Sequence, residues 1–280
     1  MTTVRAHGVR LLTLRDRPLI ESVLDDDPVT NVFLDARLRG GLAKGRLAER
    51  LAAYTDSGGI TSLCWMGGNV VPTANASDEA ADAFSGMAGR YTAWFSSLWG
   101  PIGPVTRMFE HLRGQLDEPR AVRPEQPFMV LRQPPQVPPD PLARLVTMAD
   151  FEAYYQASVA FFTEELGVSP ERDGSSGYRV LVADLVKSGR AYARFEGDRL
   201  IAKADVALIG SGAAQVQGVY VVPERRGEGL AGPMVSTACT AGLELAPVVT
   251  LYVNAFNVAA RRAYARVGFT DHATFRTYMW

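Results

Sequence analysis

The stretch VYVVPERRGEGLAG, residues 219–232, decides how this chain is read. An apolar run ends at Pro223, two arginines follow, and glycines stand at 227, 229 and 232. This spacing fits two anion-binding patterns. One is the G-x-G-x-x-G turn of dinucleotide folds; the other is R-x-x-G-x-A, which here begins at Arg226.

The flanking residues separate the two. The dinucleotide turn joins the first strand and first helix of a doubly wound parallel sheet. Before this loop, AYARFEGDRLIAKADVALIGSGAAQVQGVYVVP (191–223) alternates and breaks at Gly197-Asp198 and at Gly210-Ser211-Gly212. That predicts three antiparallel strands joined by tight turns. After Gly232 too little chain remains to complete a doubly wound sheet. About twenty residues on, where such folds place a ribose-binding acid, stand Leu251, Tyr252 and Val253. No G-K-[ST] follows, which excludes a nucleotide P-loop. The second pattern suits a strand ending at Val222, a turn through Arg226 and a helix opening near Gly229. The first N–H groups of a helix have no internal partner. With the helix dipole they favour a diphosphate. Gly227 and Gly229 remove the Cβ from the approach, and Arg225 and Arg226 add positive charge at the rim.

Outward from the loop, DFEAYYQASVAFFTEELG (150–167) and SGYRVLVADLVKSG (176–189) read as helices closed by glycine. LAGPMVSTACTAGLEL reads as a helix, PVVTLYVN as a strand, NVAARRAYARVG as a helix and ATFRTYMW as a last strand. RQPPQVPPDPL (132–142) holds five prolines and reads as an extended connector. It sets an N-terminal domain at 1–133, a linker at 134–142 and a C-terminal domain at 143–280. The N-terminal half shows a looser version of the same order. LLTL reads as a strand, and RPLIESVL, NVFLDARL and GRLAERLAAYT as helix. ITSLCWMGG and NVVPTA pair as strands, and SDEAADAFSGMAG is a helix capped by Ser77. A short strand before Gly100, a helix through MFEHLRGQL and the strand PFMVLRQ complete it. The likeness of the halves lies in element order, not in residues, and the fold class is α+β with a mixed sheet.

Two motifs now carry a family resemblance. VYVVPERRGEGLA stands where GNAT-superfamily N-acetyltransferases have an apolar strand followed by R/Q-x-x-G-x-G/A. LYVNAFNVAARRAYARVGF has their strand, Asn, helix and Tyr before Gly-Phe. Residues 143–280 resemble that superfamily. The whole chain resembles actinobacterial tandem proteins in which a degenerate acetyltransferase-like half precedes such a domain. The resemblance implies a GNAT fold in the C-terminal half and a degenerate GNAT-like domain before it. It implies acetyl-CoA as co-substrate and acetyl transfer to a primary amine of a small molecule or peptide. The implied coenzyme site comprises Val219, Tyr220, Val221, Arg225, Arg226, Gly227, Glu228, Gly229, Leu230, Ala231, Asn254, Asn257, Ala260 and Tyr264. Within it, Asn257 contacts the CoA arm and Tyr264 protonates the departing thiolate.

Tyr264 lies two helical turns after Asn257, on the same face, and its phenol can act as a general acid. Taken alone it reads equally as a core aromatic. Strand 213–222 is expected to splay from strand 248–254, freeing the amides of Val219 and Val221 to pair with pantetheine as an added strand. The general base stays open. Many family members carry an acid on the strand before the loop; this chain has Gln215 and Gln217. Glu164, Glu165 and Asp205 are the candidates, though each also reads as a solvated helix end or a strand-face charge. The missing acid leaves a second reading, a non-catalytic CoA-binding sensor. In the N-terminal half, ANASDEAADAF offers no arginine and no glycine pair, and Asp78 and Glu79 would repel a diphosphate. One coenzyme site is therefore expected. Trp94, Phe95 and Trp99 read as core aromatics or as the lining of a substrate surface.

Composition narrows the rest. The chain has 280 residues, 47% hydrophobic and 21% charged, enough for a packed core. Its net charge of −1 gives no pull toward nucleic acid, which also disfavours tRNA-dependent aminoacyl transfer. Apolar runs such as PVVTLYV are too short to cross a bilayer. MTTVRAHGVRLLTLRDR lacks the apolar core of a signal peptide, so a cytoplasmic location is expected. Cys64 and Cys239 sit in apolar patterns and read as reduced, buried thiols; no His neighbours Cys64 to make it a nucleophile. His7, His111 and His272 are scattered, so no metal site is expected.

Overall fold

The computed structural model describes residues 8–43, 50–90, 96–171 and 177–280; Trp94 and Phe95 lie outside them. The N-terminal half runs β1 (Gly8–Leu11), α1 (Arg17–Asp25), α2 (Val32–Ala43), β2 (Leu51–Asp56), β3 (Gly59–Met66), β4 (Asn69–Pro72), α3 (Asp78–Ala88), β5 (Ser97–Pro101), α4 (Ile102–Leu112) and β6 (Ala121–Leu131). The C-terminal half runs β7 (Ala143–Leu145), α5 (Phe151–Leu166), α6 (Gly177–Lys187), β8 (Ala191–Glu196), β9 (Arg199–Ile209), β10 (Ala214–Val221), α7 (Ala231–Leu245), β11 (Val249–Tyr252), α8 (Val258–Val267) and β12 (Thr270–Met279). Each helix and strand expected in the C-terminal half is present, with some ends moved by two or three residues, and β7 is an addition. Three residues are too few to display alternation, so β7 has no sequence signal.

Among the described residues the strands form one sheet, in the order β1-β2-β3-β4-β5-β12-β6-β11-β10-β9-β8-β7. That order is a palindrome: replacing each strand by the one six places along the chain gives the same list reversed. The parallel pairs, β4 with β5 and β10 with β11, are equivalent under this exchange. The halves also trade their last strands. β6 pairs with β11, β12 pairs with β5, and the two meet antiparallel at the centre. The mixed α+β class holds, and the sheet runs without a break from one half into the other.

The likeness extends to residues, contrary to the expectation of shared order alone. Arg10, Thr13 and Asp16 in RLLTLRD recur as Arg144, Thr147 and Asp150 in RLVTMAD. In each copy the arginine grips the aspartate, at 2.6 Å and 2.7 Å. In each copy the threonine amide and hydroxyl also donate to the aspartate, at 2.8–3.0 Å. The clasp closes the turn that leads from the edge strand into the first helix.

Three further N-terminal expectations need correction. Of the helix expected over 45–55, residues 45–49 lie outside the described residues, and 51–55 instead belong to β2 between β1 and β3, with Ala52 and Ala53 fully buried. Alanine favours helix weakly, and sheet pairing overrides it. The first strand is Gly8–Leu11 rather than 11–14, because Thr13 already belongs to the clasp. β6 starts at Ala121, upstream of Pro124 and Pro127; its pairing with β12 shifts register in that region, which lets a central strand hold proline. The proline-rich connector contains no strand or helix, as expected, but it is not a free spacer. Gln136 N–H bonds Val267 O at 2.8 Å, Asp140 N–H bonds Pro233 O at 3.2 Å, and Val137 packs on the core beneath α7.

Two packing facts position the site. Along β9, Ala202, Ala204 and Val206 face the core under α7, so Lys203 and Asp205 point to the other face, beneath α5. From the N-terminal half, α2 docks on the β9–β10 turn, where Asp35 accepts from the Ser211 amide and, at 2.8 Å, from its hydroxyl. A Cβ on Gly210 would lie 2.6 Å from that carboxylate and one on Gly212 2.6 Å from Pro28, so the turn needs both glycines to receive α2. No helix among the described residues is long and apolar enough to cross a membrane.

Candidate active site

β10 pairs with β9 over its length but with β11 only at Ala214 with Val249 and Gln215 with Thr250. Beyond Gln215 the two strands separate, as the sequence led us to expect, and the free edge of β10 borders a cleft of about 1850 Å³. The Val222 amide bonds Ile201 O on β9. By alternation the N–H groups of Val219 and Val221 face the open side. A bulge interrupts β10 between Gln217 and Tyr220. Gly218 there has φ +62°, and a Cβ would fall 2.3 Å from Asp205 Oδ2 and 2.6 Å from Lys203 Nζ. Only glycine fits, on both counts.

The loop after β10 is shaped for an anion. Gly227 and Gly229 have φ near +80° and open space where a Cβ would stand. Among the described residues no protein acceptor meets the N–H groups of Gly227 through Gly232. α7 begins at Ala231, two residues beyond the expected start, because the left-handed Gly229 cannot join a helix. The arginines are present but matched: Arg226 bonds Glu164 at 2.7 Å and Val221 O at 3.0 Å, and Arg225 bonds Glu196 at 2.6 Å and Glu228 at 2.8 Å. Glu228 is the one expected coenzyme residue that does not line the cleft; it serves to hold Arg225.

The other expected residues converge on the same cleft. Tyr264 is buried against Phe269. Burial, with the charge of Glu165 nearby, pushes its phenol well above the usual tyrosine range. It therefore stays protonated, as an acid requires. Asn257 caps α8 by accepting from Ala260 N at 3.1 Å. Asn254 Oδ1 takes Gln126 Nε2 at 3.0 Å and Arg123 Nη1 at 3.3 Å, so its carbonyl ties the end of β11 to β6. Tyr220 is buried beside Phe161, with Arg226 over its ring.

The three candidate bases are all engaged. Glu164 holds Arg226, and Glu165 holds Arg123 at 3.2 Å, so the end of α5 is pinned to β6 and to the glycine loop. Asp205 is buried with Lys203 Nζ at 2.6 Å and Tyr154 Oη at 2.6 Å. Burial raises its carboxyl, against the pull of the Lys203 ammonium. Gln217 Nε2 donates to Gln215 Oε1 at 2.6 Å, and β10 itself carries no acid. Sequence reasoning did not find Lys203, Tyr154, Gly218 or Arg123. An isolated glycine inside an alternating strand signals a bulge, and Lys-x-Asp within β9 puts both charges on one face. Nothing marked Tyr154 or Arg123. Both cysteines are buried, with their thiols pushed above the usual range. Trp99 is at once core and cleft wall, in contact with Phe33 and Tyr252.

This geometry agrees with the comparisons. Residues 151–269 match the model of the acetyltransferase (GNAT) family, and residues 49–154 match DUF4081, a domain of unknown function. Residues 151–269 thus match a GNAT acetyltransferase domain, of a family whose general chemistry is acetyl transfer. Solved structures share the fold across nearly the whole chain. A GCN5-related N-acetyltransferase from Sphaerobacter thermophilus is 16% identical, covering 97% of this chain and 94% of its own, with TM-score 0.63. A GNAT-family acetyltransferase from Colwellia psychrerythraea is 14% identical, covering 98% and 100%, with TM-score 0.58. A tandem GNAT protein from the clavulanic acid biosynthesis pathway is 13% identical, covering 98% of both chains, with TM-score 0.55. A comparison with curated sequences finds no match.

Proposed function

We propose that the chain moves an acetyl group from acetyl-CoA to a primary amine of a small molecule or peptide. One observation carries this: the unmet amides of residues 227–232 stand in line with the unpaired edge of β10. Unmet donors at a helix start suit a diphosphate, and a free strand edge suits the amide-bearing pantetheine arm. Arg225 and Arg226 lie at the same rim, and a diphosphate would compete with Glu164 for Arg226. Acetyl-CoA supplies an acyl carbon already activated as a thioester.

The chain's own residues then have three tasks. The bulge at Gly218 releases backbone from the ladder where a donor can polarise a carbonyl. Asp205 lies against that glycine, and its raised carboxyl takes the proton the amine sheds, directly or through one water. Tyr264 gives the departing sulfur a proton. Glu164 and Glu165 order the end of α5. The pairing of Gln215 with Gln217, on a strand that carries no acid, favours a second reading as a non-catalytic CoA-binding sensor. Calorimetry with acetyl-CoA and thiol release over an amine panel decide between them. Transfer predicts one acetyl-CoA per chain and thiol release. Heat without thiol release supports the sensor, and no heat overturns both.

A further inference from the structure

We propose that the acceptor amine also carries an anionic group, a carboxylate or a phosphate, and that Arg37 of the N-terminal half receives it. This rests on the acetyl-transfer reading above. Arg37 projects from α2 into the same cleft, with its guanidinium over the Phe33 ring at 5.3 Å. It is open to solvent, yet the protein around it lowers its pKa by burial. A concave wall accounts for both facts: a ligand can reach the group, while bulk water solvates it poorly. Among the described residues no carboxylate pairs with it, whereas Arg39, two positions along, is held by Asp35 at 2.9 Å.

A second arginine opens on the same cleft. Arg190 also lines the cleft, is partly buried, and has its pKa lowered by burial. Its bonds go to Ser188 Oγ at 2.8 Å and Ala207 O at 3.4 Å, with no carboxylate among the described residues. The next residue, Leu208, packs on the core cluster that contains Phe33. Arg37 and Arg190 thus line one cleft from opposite halves. Of the carboxylates lining the cleft, Glu164, Glu165 and Asp205 are paired, and Asp184 is exposed on α6.

A guanidinium on a cleft wall with no carboxylate beside it is free to make a charge-assisted, bidentate contact with an arriving anion. The placement is built into the fold, because the bonds from Asp35 to Ser211 fix α2 on the β9–β10 turn. It also gives the N-terminal half a part in the site although its own loop lacks the glycine pair.

The test is thiol release with three matched amines, β-alanine, phosphoethanolamine and β-alaninamide, on wild type, Arg37→Met and Arg37→Lys. Acetyl-CoA affinity is measured on the same samples. The wild type should use one anionic amine at least about tenfold better in kcat/KM than β-alaninamide, and which one identifies carboxylate or phosphate. Arg37→Met should abolish that ratio through KM, Arg37→Lys should keep part of it, and β-alaninamide turnover and acetyl-CoA affinity should not move. Equal use of all three amines by the wild type, turnover of none while acetyl-CoA binds, or a ratio that survives Arg37→Met overturns the anionic class. Absence of acetyl-CoA binding instead overturns the acetyl-transfer reading. The wild-type ratio decides even where a variant fails to fold.

Discussion

The connections from β4 to α3 and from β10 to α7 hold equivalent places in a palindromic sheet, and both follow a strand that parts from its parallel neighbour after two paired residues. Their amides meet different fates. In the first, Ala74 N–H bonds Asn31 Oδ1 and Ala80 N–H bonds Ser77 Oγ. Asp78 and Glu79 fill the first turn of α3, and the helix amide and Ser77 hold the Glu79 carboxyl below its usual range. In the second, two left-handed glycines delay the helix, no side chain caps it, and the amides of residues 227–232 stay unmet. A splayed pair of strands is thus common to both halves, while only one half keeps donors for an anion. The site belongs to the loop rather than to the fold.

The largest expected effect attacks that difference directly. Gly229→Asp places a carboxylate among the unmet amides and forces a side chain into φ +81°. Acetyl-CoA affinity should fall about a thousandfold by calorimetry, from left-handed strain and charge repulsion together. Asp78→Gly on α3 should leave it unchanged. An equal loss from both variants would mean that the halves are not specialised in this way.

A second, smaller effect sharpens the comparison on α8, whose N-terminal counterpart α4 has no tyrosine. Tyr264→Phe removes only the phenolic proton, so kcat should drop about a hundredfold. The affinity for acetyl-CoA should stay within about twofold, since one hydroxyl with no hydrogen-bond partner among the described residues adds little to binding. Unchanged turnover would return Tyr264 to the core aromatics.

Much of this was legible in the sequence because alternation, glycine breaks and helical spacing are local signals. The three-strand meander, the glycine loop and the Asn-Tyr-Gly-Phe unit were read from such signals. What escaped was non-local. β6 sits between β11 and β12 through pairing with strands more than a hundred residues away. The Asp205–Lys203–Tyr154 cluster needs α5 laid over β9. Arg37 enters the cleft only because Asp35 meets a turn far along the chain. The Arg-Thr-Asp clasp was readable, yet four matched residues in seven, Leu11 with Leu145 being the fourth, stand out only once the structure shows what three of them bond.

That clasp gives the smallest effect. In each copy the arginine, with the threonine donors, holds the aspartate well below its ordinary range. A depressed carboxylate stabilises the fold above the unfolded value, near 3.9, and that contribution fades as pH falls below about 4. Both arginines are half exposed, so solvent screens the pairs and each is worth ~1 kcal/mol. Asp16→Asn and Asp150→Asn should each lower unfolding free energy by ~1 kcal/mol at neutral pH, with the deficit shrinking toward about pH 2 in denaturant titrations. The two variants should differ in one respect. Asp150 precedes α5, whose far end holds Arg226 through Glu164, whereas Asp16 precedes α1, which packs on β3 of the N-terminal half. Asp150→Asn should therefore weaken acetyl-CoA binding slightly, about twofold if the loosened helix costs a fraction of the clasp energy, and Asp16→Asn should not. Equal affinities in the two variants would show that α5 is held by its packing under Tyr154 and Tyr155, and that the clasp matters only to folding.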